Sequence, residues 1–224
     1  MKKIATLAFL VCILCISCQK NNNPDSTTVE NFMNMKAGSI WNYETINNIP
    51  PPTTSLYSLS STSRDSTIDS KNYHVFINSG SGASEYYRVS GSDYYTYQSL
   101  PAALGGTKVE NLYLKAGAAI GSTWTQSYNI TYNSLPLVVT ITNKIEEKGI
   151  SKTVNGSNYN NVIHVSTGIA VGGIPAASLL TDIDYYYAPN YGMIENTSKI
   201  NLNYFGIVNN SDFTTRLKNA TLIN

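Results

Sequence analysis

Beyond position 18 this 224-residue sequence contains no cysteine. No disulfide can staple the bulk of the chain, so its stability has to come from a packed core. Charge is scarce too: Asp, Glu, Lys and Arg make up 13% of residues and the formal net charge is +1. A near-neutral surface has no electrostatic grip on nucleic acid, and no nucleic-acid partner is expected. The sequence holds no Gly-x-Ser-x-Gly elbow, no phosphate loop and no His-Glu-x-x-His. Catalytic residues and cofactors are therefore not assigned, and a non-enzymatic role is expected. No apolar run reaches the roughly twenty residues of a membrane-spanning helix.

What is abundant is tyrosine, seventeen in all, set among Ser, Thr and Asn. Tyr, Thr, Val and Ile favour strands, whereas Asn, Gly and Ser favour turns. Alternation supports the same class. Trp124, Gln126, Tyr128, Ile130 and Tyr132 alternate with Thr125, Ser127, Asn129, Thr131 and Asn133, the period of a half-buried strand. Leu137, Val139, Ile141 and Ile145 mark a second strand. Ile194, Ile200, Leu202 and Tyr204 share one face of a third. Phe213, Thr215, Leu217 and Ile223 share a face of the last, beyond an expected turn at 209–212. Tyr86–Val89 and Tyr94–Tyr97 flank a Gly91-Ser92-Asp93 turn. Roughly eleven or twelve strands are expected, with one short helical turn at 29–36.

The chain also repeats itself. "MKAGSIWNYETIN" (35–47) is similar to "LKAGAAIGSTWTQSYNI" (114–130), and "DSKNYHVFINSG" (69–80) to "NGSNYNNVIHVSTG" (155–168). A Tyr-rich pair of strands follows in each half, at 84–98 and 182–200. The pattern predicts an all-β antiparallel meander in two pseudo-repeated halves, about 35–98 and 114–204, within a single domain, 29–224. Two such curved sheets form a barrel, a half-barrel or a sandwich.

At the N-terminus, Lys2 and Lys3 precede an apolar run from Ile4 to Ile16, which has signal-peptide length. The run closes on Cys15-Ile16-Ser17-Cys18. A small residue directly before a cysteine resembles the lipobox of bacterial lipoproteins. The resemblance implies a signal peptide over 1–17, diacylglyceryl and acyl chains on Cys18, and a membrane anchor made stable by several chains. Residues 18–28 are then a lipidated cysteine and polar tether. With Lys2 and Lys3 gone, thirteen basic residues face fourteen acids, a net charge of −1. Gln19 follows the cysteine where Asp would mark inner-membrane retention, so the outer membrane is expected, facing periplasm or cell surface.

Gly38, Trp41 and Tyr43, then Gly121 and Trp124, then Tyr186, Tyr187, Ala188, Pro189 and Gly192 resemble a pattern of uncharacterised bacterial lipoproteins. Some of those are similar to the half-barrel carriers of the Lol lipoprotein-sorting system, which hold acyl chains in an apolar hollow. The present chain departs from the carriers in having no helix long enough to lid a hollow.

Two stretches are apolar where connections are usually polar: 100–106 and 169–180. Leu104, Ile169, Val171, Ile174, Leu179 and Leu180 either line a ligand mouth or fold back and plug the end of the sheet. These residues carry the first functional expectation, an apolar ligand that is carried or sensed. The second is an interaction module that binds glycan or protein through outward tyrosines at 94–97 and 185–187. Asp25-Ser26-Thr27 and Asp65-Ser66-Thr67 resemble a periplasmic O-glycosylation acceptor, which would modify Ser26 and Ser66. His74 and His164 occupy matching places in the halves but gather no third metal ligand. Asp182 and Asp184 share a strand face, and Glu146 and Glu147 are expected on opposite faces, poorly placed for paired-acid hydrolysis.

Overall fold

The computed structural model describes residues 30–100, 108–132, 135–204 and 207–224. Six strands form the first half: β1 (Ile40–Asn47), β2 (Thr53–Ile68), β3 (Lys71–Asn78), β4 (Ser84–Ser90), β5 (Asp93–Ser99) and β6 (Lys108–Lys115). Six form the second: β7 (Thr123–Tyr132), β8 (Leu135–Val154), β9 (Ser157–Val171), β10 (Leu179–Ala188), β11 (Gly192–Tyr204) and β12 (Ile207–Thr221). They make one antiparallel sheet in the order β6-β5-β4-β3-β2-β1-β12-β11-β10-β9-β8-β7. Because β1 pairs with β12, the two six-strand runs join and the sheet curls into a nearly closed barrel. All twelve strands lie within residues 30–224, so a chain beginning in the tether carries the whole fold.

The gap in the barrel falls between β6 and β7. Side chains of β7 bridge it to the β6 backbone. The Trp124 indole donates to the Leu112 carbonyl (2.7 Å), and Gln126 accepts from the Leu112 N–H (2.7 Å). The Tyr128 hydroxyl donates to the Glu110 carbonyl (2.8 Å). These residues occupy one face of an alternating strand, so each reaches the same neighbour. They satisfy backbone groups that an open edge would leave unpaired.

Hairpins alternate between the two barrel ends. At one end the residues before β1 cross the opening as a strap. Phe32 and Met33 are 5% and 4% exposed. The Phe32 N–H donates to the Tyr94 hydroxyl (2.9 Å), and the Asn190 N–H to the Asn31 carbonyl (2.6 Å). The strap is irregular where a helical turn was expected over 29–36. Asn31 and Asn34 accept from the N–H groups two residues on, at 3.0 and 2.8 Å, and such local bonds compete with helix. The strap joins a buried cluster with Trp41, Phe76, Tyr94, Leu114, Trp124, Ile163, Ile194 and Leu217.

A second cluster fills the opposite end: Leu100, Val109, Ile130, Val139, Ile141 and Val171, with Ile174 and Leu179 packed against it. The 169–180 stretch is thus the end of β9, a turn, one 3-10 turn at Ala176–Ser178 and the start of β10, not a free loop. Residues 209–212 are not a turn either. Asn209 to Asp212 pair in register with Leu202 to Lys199, because polar side chains suit the outer face and exposed end of a strand as well as a turn.

Candidate functional site

Between the two clusters the barrel encloses a cavity of about 260 Å³. It runs from Met33 beneath the strap to Leu100, Ile169 and Ile200 at the other end. Six tyrosines from five strands line it: Tyr43 (β1), Tyr57 (β2), Tyr87 (β4), Tyr113 (β6), and Tyr185 and Tyr187 (both β10). They pack on one another. Tyr43 and Tyr57 stack at 5.2 Å, Tyr185 and Tyr187 at 6.0 Å, and Tyr113 lies 5.4 Å from Tyr187.

Their hydroxyls divide into two groups. Tyr43 donates to the Met193 carbonyl (2.9 Å) and Tyr87 to the Glu85 carboxylate (2.8 Å). Tyr57, Tyr113, Tyr185 and Tyr187 line the cavity, and among the described residues no protein group hydrogen-bonds their hydroxyls. Burial pushes the phenols of Tyr43, Tyr87 and Tyr187 well above their ordinary value, so they remain neutral donors. The Asn111 side-chain oxygen, also on the cavity wall, is buried without a partner. Thr96, Gln98, Asn143, Thr167 and Ser198 add further polar groups, and Leu59, Ile141, Ile183 and Met193 add apolar ones. The lumen is therefore amphipathic, where the apolar ligand expected from the sequence would call for an apolar one.

Of the residues singled out earlier, Ile169 borders this cavity. Val171 is buried in the end cluster, and Ile174 and Leu179 pack on it, so they plug the barrel. Leu180 is 58% exposed and does not line the cavity. Ser66 is a half-buried strand residue opposite Tyr73. Cys18, Ser26 and Leu104 lie outside the described residues. Tyr57, Glu85 and Tyr113 escaped sequence reasoning. The only signal was the Tyr alternation in β10, which could not say which tyrosines face inward.

The histidines are not equivalent. His74 pairs with the lumen residue Tyr87 and sits 5.3 Å from Phe76, on the inner face. His164 pairs with Tyr186, on the outer face, and stacks on that ring at 4.4 Å. A one-residue difference in register reverses the face. His164 contacts Glu147 (3.2 Å) and Asp184 (2.7 Å). A bulge between Ile145 and Glu147 brings Glu146 and Glu147 to the same outer neighbours, Ser166 and His164, rather than to opposite faces.

Ser61 Oγ, His74 Nε2 (2.9 Å), His74 Nδ1 and Asp65 Oδ1 (2.8 Å) line up in the order of a Ser-His-Asp triad. However, Ser61 is 4% exposed and its hydroxyl also donates to the Met35 carbonyl (2.9 Å). That carbonyl can only accept, so it takes the single hydroxyl proton. The arrangement fastens the strap to β2 and offers no accessible nucleophile.

On the outer face, tyrosine rings are already covered by neighbours. The Arg88 guanidinium lies 3.9 Å from the Tyr95 ring, and the Lys152 ammonium 3.5 Å from that of Tyr186, which His164 also stacks on. Little ring face is left at these two positions for a sugar.

No protein-family model matches the chain, and no curated protein matches it. Among solved structures, the fold is similar to that of a candidate lipoprotein from Parabacteroides distasonis. The two share 12% identity over 86% of this chain and 99% of that one, with a TM-score of 0.52. A candidate exported protein with a YmcC-like fold from Bacteroides fragilis aligns over the same shares at 8% identity and a TM-score of 0.43. At such identities the likeness is one of fold.

Proposed function

We propose that this chain is a lipid-anchored, non-catalytic protein of the cell envelope whose barrel holds a small ligand, which it carries or senses. The observation that carries this reading is the tyrosine-lined lumen, into which four hydroxyls open with no hydrogen bond to any described protein group, beside the buried Asn111 side-chain oxygen that also lacks a partner. Polar groups inside a fold are normally hydrogen-bonded, so a lumen that presents free hydroxyls and a buried, unpartnered amide oxygen is suited to a guest that meets them. Its volume, about 260 Å³, suits an occupant of roughly nine non-hydrogen atoms, at ~30 Å³ for each water-sized group. That is far smaller than a diacyl lipid.

The envelope location rests on the signal-like N-terminus and the Ser17-Cys18 junction. It is supported by the fold shared with a candidate lipoprotein. An anchor on Cys18 would lie nearest in sequence to the strap end of the barrel, where Phe32 and Met33 sit. The outer membrane fits Gln19 after the cysteine.

Native mass spectrometry of residues 24–224, purified from a bacterial periplasm, tests the reading. A stoichiometric small-molecule adduct, released on unfolding, supports it. A bare mass that no compound library shifts overturns it.

A further inference from the structure

The charge inventory of the lumen is lopsided. Glu85 is the one ionisable acid on its wall, and no Lys, Arg or His lines it. The Glu85 carboxylate accepts from the Asn78 amide (2.7 Å) and the Tyr87 hydroxyl (2.8 Å), both neutral. It makes no ion pair among the described residues. Three other partly buried acids are treated differently: Glu110 is held by Lys71 and Arg88, Glu195 by Lys152 and Arg216, and Glu146 by Lys144. A carboxylate offers about four lone-pair positions, so two remain for a further donor. Around it stand tyrosine rings, whose faces carry partial negative charge. A carboxylate among aromatic faces is complementary to a cation, and hostile to a second anion.

We propose that the lumen ligand is a small organic cation, an alkyl- or arylalkylammonium, with its charged head against Glu85 and its apolar body among Tyr57, Tyr113 and Tyr187. The inference rests on the reading of the lumen as a ligand site and deepens it by naming the ligand's chemistry. The hydroxyls without a protein partner accept from ammonium hydrogens or bond polar groups on the ligand body. Leu100 and Ile169 close the far end against its apolar part. A fatty-acid carboxylate is excluded, since it would meet Glu85 with no base to compensate.

Isothermal titration of residues 24–224 with three matched probes tests this: phenethylammonium, neutral 2-phenylethanol and anionic phenylacetate. The cation is expected to bind about tenfold more tightly than the alcohol, and phenylacetate more weakly still. Glu85→Gln should erase the cation's advantage over the alcohol. Gln98→Glu, which adds a carboxylate at an exposed position on the cavity wall and removes no hydrogen bond, should raise the cation's affinity; it guards against a folding defect in the first variant. Equal affinities, a preference that survives Glu85→Gln, or no binding by any probe overturns the inference. If the alcohol or the anion binds without a preference for the cation, the lumen still stands as a ligand site. The bare native mass described above is what removes that broader reading.

Discussion

The indole N–H of Trp124 donates to the Leu112 carbonyl across 2.7 Å, and so joins β7 to a strand with which it shares no backbone ladder. Trp41, the matching tryptophan in the other half, sits between paired strands. It is fully buried, and its indole nitrogen has no partner among the described residues. One residue type thus serves a packed interior in β1 and a seam in β7.

The seam makes a prediction for hydrogen exchange. Gln126→Ala removes the acceptor of the Leu112 N–H. That amide should exchange at least about tenfold faster while amides of the β1–β12 ladder stay unchanged, with a stability loss of about 1–2 kcal/mol. Trp124→Phe should cost more, about 2–4 kcal/mol, because it also empties core volume.

Acid stability should depend on Glu110. Burial alone would raise its carboxyl, but hydrogen bonds from Lys71, Arg88 and Tyr73 outweigh that and hold it below 4.5. A folded-state value below the unfolded one stabilises the fold at neutral pH, and the contribution is lost as pH falls through the folded value. Urea titrations at pH 7 should show Glu110→Gln about 1 kcal/mol less stable, a figure kept small by the solvent around Lys71. As pH falls through that lowered folded-state value the two proteins should converge.

Gly192 has φ +67°, and a Cβ there would meet Met33 Sδ at 3.0 Å and the Phe32 carbonyl oxygen at 3.4 Å. Gly192→Ala should therefore strain the turn and lift the strap. A loss of about 1–2 kcal/mol is expected, or roughly 3–6 °C in Tm by calorimetry.

Two tyrosines separate packing from function. Tyr43→Phe deletes a hydroxyl bonded to the Met193 carbonyl and should cost about 1 kcal/mol. Tyr187→Phe deletes one with no described protein partner, so stability should hold or rise slightly. Ligand affinity should instead fall in Tyr187→Phe, as read by titration calorimetry.

Much of the fold was legible in local pattern. Period-two alternation located β7, β8 and β11, and Gly91-Ser92 marked the β4–β5 turn. What was hidden is long-range. The pairing of β1 with β12 joins residues such as Tyr43 and Leu217, and nothing local announces it. Face assignment was lost wherever a bulge intervened, as at Glu146 and Glu147 and between Ser61 and Asp65, since one extra residue reverses inside and outside. The lumen tyrosines were visible as composition but not as a site. Tyr185 and Tyr187 face inward and Tyr186 outward only once the register with β9 is known. Apolar stretches drew attention to the wrong end of the cavity, because Val171, Ile174 and Leu179 serve the plug.

The most direct test is to fill the lumen. Ser198 lines the cavity and its hydroxyl makes no hydrogen bond among the described residues, so Ser198→Trp adds bulk without removing a side-chain hydrogen bond, at an overpacking cost of about 1–3 kcal/mol. Native mass spectra of both forms, prepared side by side, should show a small-molecule adduct on the wild type and none on the folded variant. Equal adducts on the two proteins would mean that the occupant lies elsewhere, and would contradict the lumen as the binding site.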